Sequence, residues 1–393
     1  MIDLKYLVNK AIIWGSRIKL MIKYPSNIKY CRFPSNALNK NAGLNNGIII
    51  VSHESNRMGA SILAGHLQQN MKKEPVFLVA RQFGELNDEY SANGQIVVAS
   101  SVLKVRIVLR KLKKTGYRKI ILNTVINSDI AKTAKELGFR TVFLIHETMG
   151  FVNKIGFKSK IPLIFQYSDV VVFPNKVVAD QYKEFTGDKK TIIRPQGRYL
   201  KIFNPDEILD QYKSVRKKIR NQKTEKIVIG VGNTNSVKGF DLFVKMAKRF
   251  DDRVRFVWAG RCQKEFFNKA IKESPSNFQY YGQISDEKEM GAFYENANLL
   301  FLSSRYDTFP SAMIEAASYG VPTIGFSQSG GIMEFVRDNE NGFVIEGGYS
   351  QKQGEAIIRK ALTMNSIIEV SNNAKASAAM YNFEEYVGFL EKL

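Results

Sequence analysis

The stretch from Ser303 to Glu334, SSRYDTFPSAMIEAASYGVPTIGFSQSGGIME, decides the fold. It opens on the end of an apolar run, 298–303, and passes through the turn residues Asp307 to Pro310. A helical segment over 311–319 containing Glu315 follows, then a second apolar run, 321–326. Ser329-Gly330-Gly331 opens a further predicted helix over 330–337. Fully apolar strands alternating with helices predict a parallel sheet covered on both faces. Pro310 suits the first position of its helix, where a missing N–H costs nothing. The amides of Phe309 and Ser311 stand where a helix N-terminus receives an anion, and Gly330 and Gly331 admit a ligand without side-chain interference.

The same alternation extends outward in both directions. Upstream, strands are predicted at 226–231, 253–259 and 278–281, with helices near 237–250, 263–273 and 286–296, the last capped by Asp286 with Glu289 three residues on. Downstream come a strand at 342–346 and a mostly helical tail. An earlier set of short β-branched runs, at 47–53, 75–80, 96–99, 119–125, 140–146, 169–174 and 191–194, forms a second doubly wound sheet. The chain therefore divides into a basic amphipathic extension (1–46), a first Rossmann-like domain (47–200), a charged linker (201–225), a second Rossmann-like domain (226–370) and a C-terminal helix (371–393) that can cross back to the first domain. Ligands of such sheets bind at the carboxyl ends of strands, so the cleft between the domains is where chemistry is expected.

Composition narrows the setting. The chain has 393 residues with 44% hydrophobic and 24% charged, an ordinary globular balance. No apolar run approaches the ~20 residues of a membrane-spanning helix, and no secretory pattern opens the chain. Two cysteines, Cys31 and Cys262, argue against a disulfide framework or a structural zinc site and for a reducing, cytoplasmic setting. The net charge is +21, and it is lopsided: residues 1–200 carry 32 basic and 13 acidic side chains, the remainder 26 and 24. An anionic surface facing the first half, nucleic acid or an acidic membrane, accounts for this, as does a plain solvated basic face. Lys104, Arg110, Lys111, Lys113 and Lys114 on the predicted amphipathic helix 102–114 are the strongest contributors. The extension 1–46 has the same basic amphipathic character and suits either a membrane interface or the body of the protein.

Asp307 and Glu315 are separated by seven residues. Carboxylates repel phosphate, so beside helix N-termini they suit sugar hydroxyls; taken singly, Asp307 is equally a helix-start residue and Glu315 a solvated charge. Asp307-x7-Glu315-Ala316, Gly320-Val321-Pro322 and Ser329-Gly330-Gly331-x-x-Glu334 together resemble the donor-binding motif of retaining glycosyltransferases of family four. The likeness runs from about residue 47 to the C-terminus. It implies the GT-B fold, a nucleotide-diphosphate sugar as donor, and no metal or other cofactor. No Asp-x-Asp triplet occurs in the chain, in keeping with that expectation. Many family members have Glu where Asp307 stands.

By the same resemblance, Lys238 in Gly232-Asn233-Thr234-Asn235-Ser236-Val237-Lys238-Gly239 grips the donor diphosphate. Asn233 takes the place of the family's Arg, leaving Arg57, Arg261 and Arg305 as cations available to compensate. Away from the family, Lys238 reads as an ordinary surface lysine at a helix start. Gly59 lets the backbone approach a phosphate, and His53 and Arg57 lie on the acceptor side. His146 matches a family histidine near the reacting sugar, whereas His66 falls within a helix and reads as structural. The expected donor contacts are thus Gly59, Asn233, Lys238, Phe309, Pro310, Ser311, Glu315, Gly330 and Gly331, with His146, Lys238 and Asp307 at the chemistry.

The function expected is sugar transfer to a membrane-associated glycan or lipid-linked acceptor in surface polysaccharide synthesis, at the inner face of the cell membrane. A nucleotide-sugar epimerase of the same fold is the alternative within the family. A nucleic-acid-binding protein is the alternative outside it, though no zinc-finger spacing or RNA-recognition pattern is present.

Overall fold

The computed structural model describes residues 47–57, 59–71, 76–198 and 200–393. The extension 1–46 lies outside the described residues. The first lobe is a seven-stranded sheet: β1 (Gly47–Ser52), β2 (Val76–Ala80), β3 (Gln95–Val98), β4 (Tyr117–Asn123), β5 (Arg140–Leu144), β6 (Val170–Phe173) and β7 (Thr191–Ile193), in the order β3-β2-β1-β4-β5-β6-β7. The second has six strands: β8 (Lys226–Val231), β9 (Val254–Ala259), β10 (Phe278–Gly282), β11 (Leu299–Leu302), β12 (Thr323–Phe326) and β13 (Gly342–Ile345), in the order β10-β9-β8-β11-β12-β13. Every pairing is parallel.

The apolar runs explain this layering. In β1 every residue is buried, with Ile49 and Val51 joining the core on one face of the sheet and Ile48 and Ile50 that on the other. β8 divides likewise, Ile227 and Ile229 against Val228. A strand apolar on both sides must be covered on both sides, so each lobe carries two helical layers. In each sheet the strand order reverses between two neighbours, β1 and β4 in the first lobe, β8 and β11 in the second. Loops diverge at such a point and leave a crevice beyond the strand ends.

Three expectations change on contact with the structure. The segment 201–225 is not a bare connector: Pro205–Ile208 forms a 3-10 turn and Leu209–Ile219 a helix. Phe203, Ile208, Val215 and Ile219 join the second core, an apolar stripe outnumbered by charges in the composition. The helix predicted over 330–337 shortens to one 3-10 turn, Gly331–Glu334. Pro310 precedes its helix as the capping residue, and Ser311–Ser318 is the helix itself.

At the C-terminus, helices Gln351–Thr363 and Ile367–Ala379 bury Ile358, Ala361, Ala374 and Ala378 in the second lobe. Only Phe383–Lys392 returns, burying Phe383, Tyr386, Val387 and Leu390 against the first. The two passages between lobes lie side by side, Arg198 N–H donating to Tyr381 O at 3.0 Å and Arg198 bridging to Asn382. No helix among the described residues is long and apolar enough to cross a membrane.

Candidate active site

The site begins with two loops of the second lobe. Gly232–Gly239 follows β8 and 303–310 follows β11, so both leave the reversal point. Gly239 has φ 65°, and a Cβ there would stand 1.8 Å from Ser303 O, so only glycine lets the loops touch. Arg305 N–H donates to Val237 O at 2.9 Å, and the Asn235 carboxamide oxygen accepts from Lys238 N–H at 2.8 Å. The outcome is an ion pair, Lys238 Nζ to Asp307 Oδ2 at 2.5 Å. The amides of Phe309 and Ser311 are not taken up by any turn or loop bond among the described residues.

Gly330 and Gly331 pack against the Asp307 loop. Asp307 N–H donates to Ser329 O and Gly331 N–H to Asp307 O, both at 2.8 Å. A Cβ on Gly330 would meet Asp307 O at 2.3 Å, and one on Gly331 would meet Thr308 O at 1.9 Å. The glycines clip the Asp307 loop in place.

From the first lobe come Gly59, at the start of helix Gly59–Asn70, and His146, just beyond β5. A Cβ on Gly59 would meet nothing within 4 Å, so packing does not demand glycine there. His146 Nε2 lies 3.0 Å from Asn123 Oδ1, and burial pushes its pKa down to about 4, so the imidazole is neutral at pH 7. Glu147 beside it accepts from the backbone of Val125 and His146, while burial raises its carboxyl pKa. His53 lies 3.2 Å from Glu54, whose pKa that contact lowers.

These groups meet around a cavity of about 190 Å³ lined by Gly59, Ala60 and His146 on one side and by Lys238 and Asp307 to Ser311 on the other. Leu63, Pro174 and Gln196, which no motif marks, complete the wall. The lobes also touch beside it: the Asn175 carboxamide donates to Thr308 O, Lys176 N–H to Glu334 Oε1 at 3.1 Å, and Arg261 pairs with Glu85 at 3.1 Å.

Several expected residues stand elsewhere. Glu315 is neither a solvated charge nor a cavity wall: it is 6% exposed and accepts the Tyr294 hydroxyl at 2.7 Å. Burial raises its pKa. Asn233 is absent from the wall. The three arginines available to compensate for it are all engaged, Arg57 with Glu89, Arg261 with Glu85 and Arg305 with Asp241. The histidine partners Asn123 and Thr124 escaped sequence reasoning; their position at the end of β4, at the reversal point, was the available signal. Among the described residues no group of three or more His, Cys, Asp or Glu side chains is placed to hold a metal ion.

Residues 211–379 match the family model "Glycosyl transferases group 1". An "Uncharacterized glycosyltransferase" of Haemophilus influenzae is 26% identical over 219 residues, 53% of this chain and 59% of the relative. A Campylobacter jejuni N-acetyl-D-galactosaminyltransferase named for an undecaprenol diphosphate-linked glycan is 24% identical, covering 63% of this chain and 66% of its own length. The chain thus spans about three fifths to two thirds of the length of these relatives. Among solved structures, Anabaena HepE in complex with UDP and glucose superposes with a TM-score of 0.73 at 15% identity, covering 87% of this chain and 97% of that one. WaaG, described as involved in lipopolysaccharide biosynthesis, gives 0.67 at 15%, covering 88% and 98%. With two parallel Rossmann-like sheets facing across a cavity, the chain has the GT-B fold, and the larger part of its second lobe is similar to the group 1 glycosyl transferases.

Proposed function

We propose that this protein transfers a sugar, with retention at the anomeric carbon, from a nucleotide-diphosphate sugar to a hydroxyl of a membrane-associated glycan or lipid-linked acceptor. The observation that carries the reading is the cavity in which Lys238 and Asp307 of one lobe face Gly59 and His146 of the other. The diphosphate takes Lys238 and the amides of Phe309 and Ser311, and Asp307 turns to a sugar hydroxyl. As the bond from the anomeric carbon to the diphosphate breaks, its electron pair leaves with the phosphate oxygen, and Lys238 offsets the growing charge. The acceptor oxygen bonds from the same face, and its proton passes to the departing phosphate. The remaining task of the protein is to position the reactants. Charge compensation by Lys238 and main-chain amides supports a reaction without a metal ion.

The relatives and structural neighbours named for UDP, glucose and undecaprenol-linked glycan support the substrate classes. Docking on the inner face of the cell membrane is supported by helix Val102–Lys114. Leu103 and Ile107 are 68% and 45% exposed, one helical turn apart, among the exposed Lys104, Arg110, Lys111 and Lys114. Lys113 is spent on the protein itself, donating to Gly138 O and lying over the Phe139 ring at 4.7 Å.

Thermal unfolding across a panel of nucleoside diphosphates tests the donor site, since a ligand of the native state raises the midpoint. Product analysis with and without a lipid-linked glycan, in EDTA, then tests the reaction. Protection by one diphosphate and acceptor-dependent transfer insensitive to EDTA are expected. Consumption of donor without acceptor would instead indicate epimerisation.

A further inference from the structure

Asn123 and Thr124 close β4 where the first sheet reverses its order. Thr124 has φ 77°, a region that a β-branched residue enters only under constraint, with its N–H held by Leu144 O at 3.0 Å. The turn sends two successive side chains to two histidines. Asn123 Oδ1 lies 3.0 Å from His146 Nε2, and Thr124 Oγ1 lies 3.4 Å from His53 Nδ1.

The Asn123 amide has one permitted orientation. Its Nδ2 donates to Ala60 O at 2.7 Å, and a backbone carbonyl can only accept. Its oxygen therefore faces the imidazole, and an oxygen without a proton requires a donor there. His146 must carry its proton on Nε2. In the neutral ring Nδ1 then holds the lone pair, and among the described residues no protein group bonds to it. Asn123 is fully buried, whereas His146 lines the cavity, so the amide reaches the reactants through the groups it holds and not directly. The same amide ties that ring to Ala60, neighbour of Gly59 on the cavity wall.

We infer that Asn123 is a positioning residue that locks His146 as the Nε2–H tautomer and presents Nδ1 as the acceptor for a hydroxyl of a bound substrate. The inference rests on the proposed sugar transfer for the identity of that hydroxyl, which belongs to the donor sugar or to the acceptor. It does not rest on that reading for the tautomer.

The chain has only three histidines, so the full-length protein labelled with 15N-histidine gives a sparse long-range proton–nitrogen spectrum, assigned for His146 by its loss in His146→Gln. The Nε2–H pattern is expected; an Nδ1–H pattern would overturn the inference, whether or not any donor is ever found. Asn123→Asp keeps an acceptor against Nε2 and should keep the pattern even if Asn123→Leu proves unstable. In transfer assays Asn123→Leu should lower kcat about tenfold, the worth of one neutral hydrogen bond. In a His146→Ala background it should lower it no further. An equal loss in both backgrounds marks a merely structural amide and overturns the inference. His146→Ala should raise the KM of either the donor or the acceptor, identifying which supplies the hydroxyl; unchanged kinetic constants for both would also overturn it.

Discussion

Lys238 and Asp307 form an ion pair on the cavity wall, and each was marked by its place in a motif. In the proposed reaction, a diphosphate entering the cavity would compete with Asp307 for the same ammonium. Lys238→Ala should therefore lower turnover about 100- to 1000-fold, the scale on which single charge-stabilising groups act. An unchanged rate would remove the diphosphate from this position. Glu315 shows what spacing cannot convey. Eight positions after Asp307, it falls on the face of its helix turned toward Tyr294 instead of toward the gap. Separation along a chain fixes which turn a residue occupies, but the direction of a helix is set by what it packs against. Glu315→Ala removes the carboxylate that accepts the buried Tyr294 hydroxyl and should cost about 1 kcal/mol or more in denaturant unfolding. Glu315→Gln retains an acceptor oxygen and should cost much less; equal losses would show that the hydrogen bond contributes nothing.

The strands and most helices were legible because burial on both faces of a sheet demands long apolar runs, and such runs are visible without coordinates. Helix Val102–Lys114 even keeps its predicted ends, with Ser101 accepting from Lys104 N–H as its cap. What escaped was the short irregular structure. The 3-10 turn Gly331–Glu334 is held by backbone contact with the Asp307 loop, a feature with no periodicity to read. Gly331→Ala tests that account. Its methyl would press on Thr308 O and on the Asn175 carboxamide, and overpacking of this kind costs about 1–3 kcal/mol. Both the unfolding midpoint and the KM for donor should suffer, since the displaced loop carries Asp307; a variant with native midpoint and KM would show the clip to be dispensable. The segment 201–225 escaped for a different reason: four apolar residues are enough to dock a helix yet too few to register against its charges.

At the scale of the molecule, charge and protonation make two predictions. If the basic face of the first lobe meets an acidic bilayer, each lysine or arginine at the surface contributes about 1 kcal/mol. Replacing Lys104, Arg110 and Lys114 together by Glu should thus weaken flotation with anionic vesicles about a hundredfold or more, while binding to neutral vesicles stays unchanged. Loss of no affinity would leave the charge as a solvated face. Protonation acts on His66 and His146, both held by burial near pKa 4 against an unfolded value of 6.5. Between those pH values the unfolded chain binds more protons, so both histidines reduce stability as the pH falls from about 6.5 toward 4. Glu147 and Glu315, raised by burial, act in the opposite sense, so the slope must be compared between variants. The fall in midpoint between pH 7 and 5 should be smaller in His66→Gln than in the parent; identical slopes would mean that His66 titrates normally.

Among the described residues the polypeptide passes between its halves beside 197–198 and 381–382, where a Cβ on Gly197 would already lie 3.0 Å from the opposing backbone. The halves are bound like the covers of a book at a single spine, and the Glu85–Arg261 pair works as a clasp. Were the halves to hinge, they would swing about that spine, and the fore-edge would open furthest.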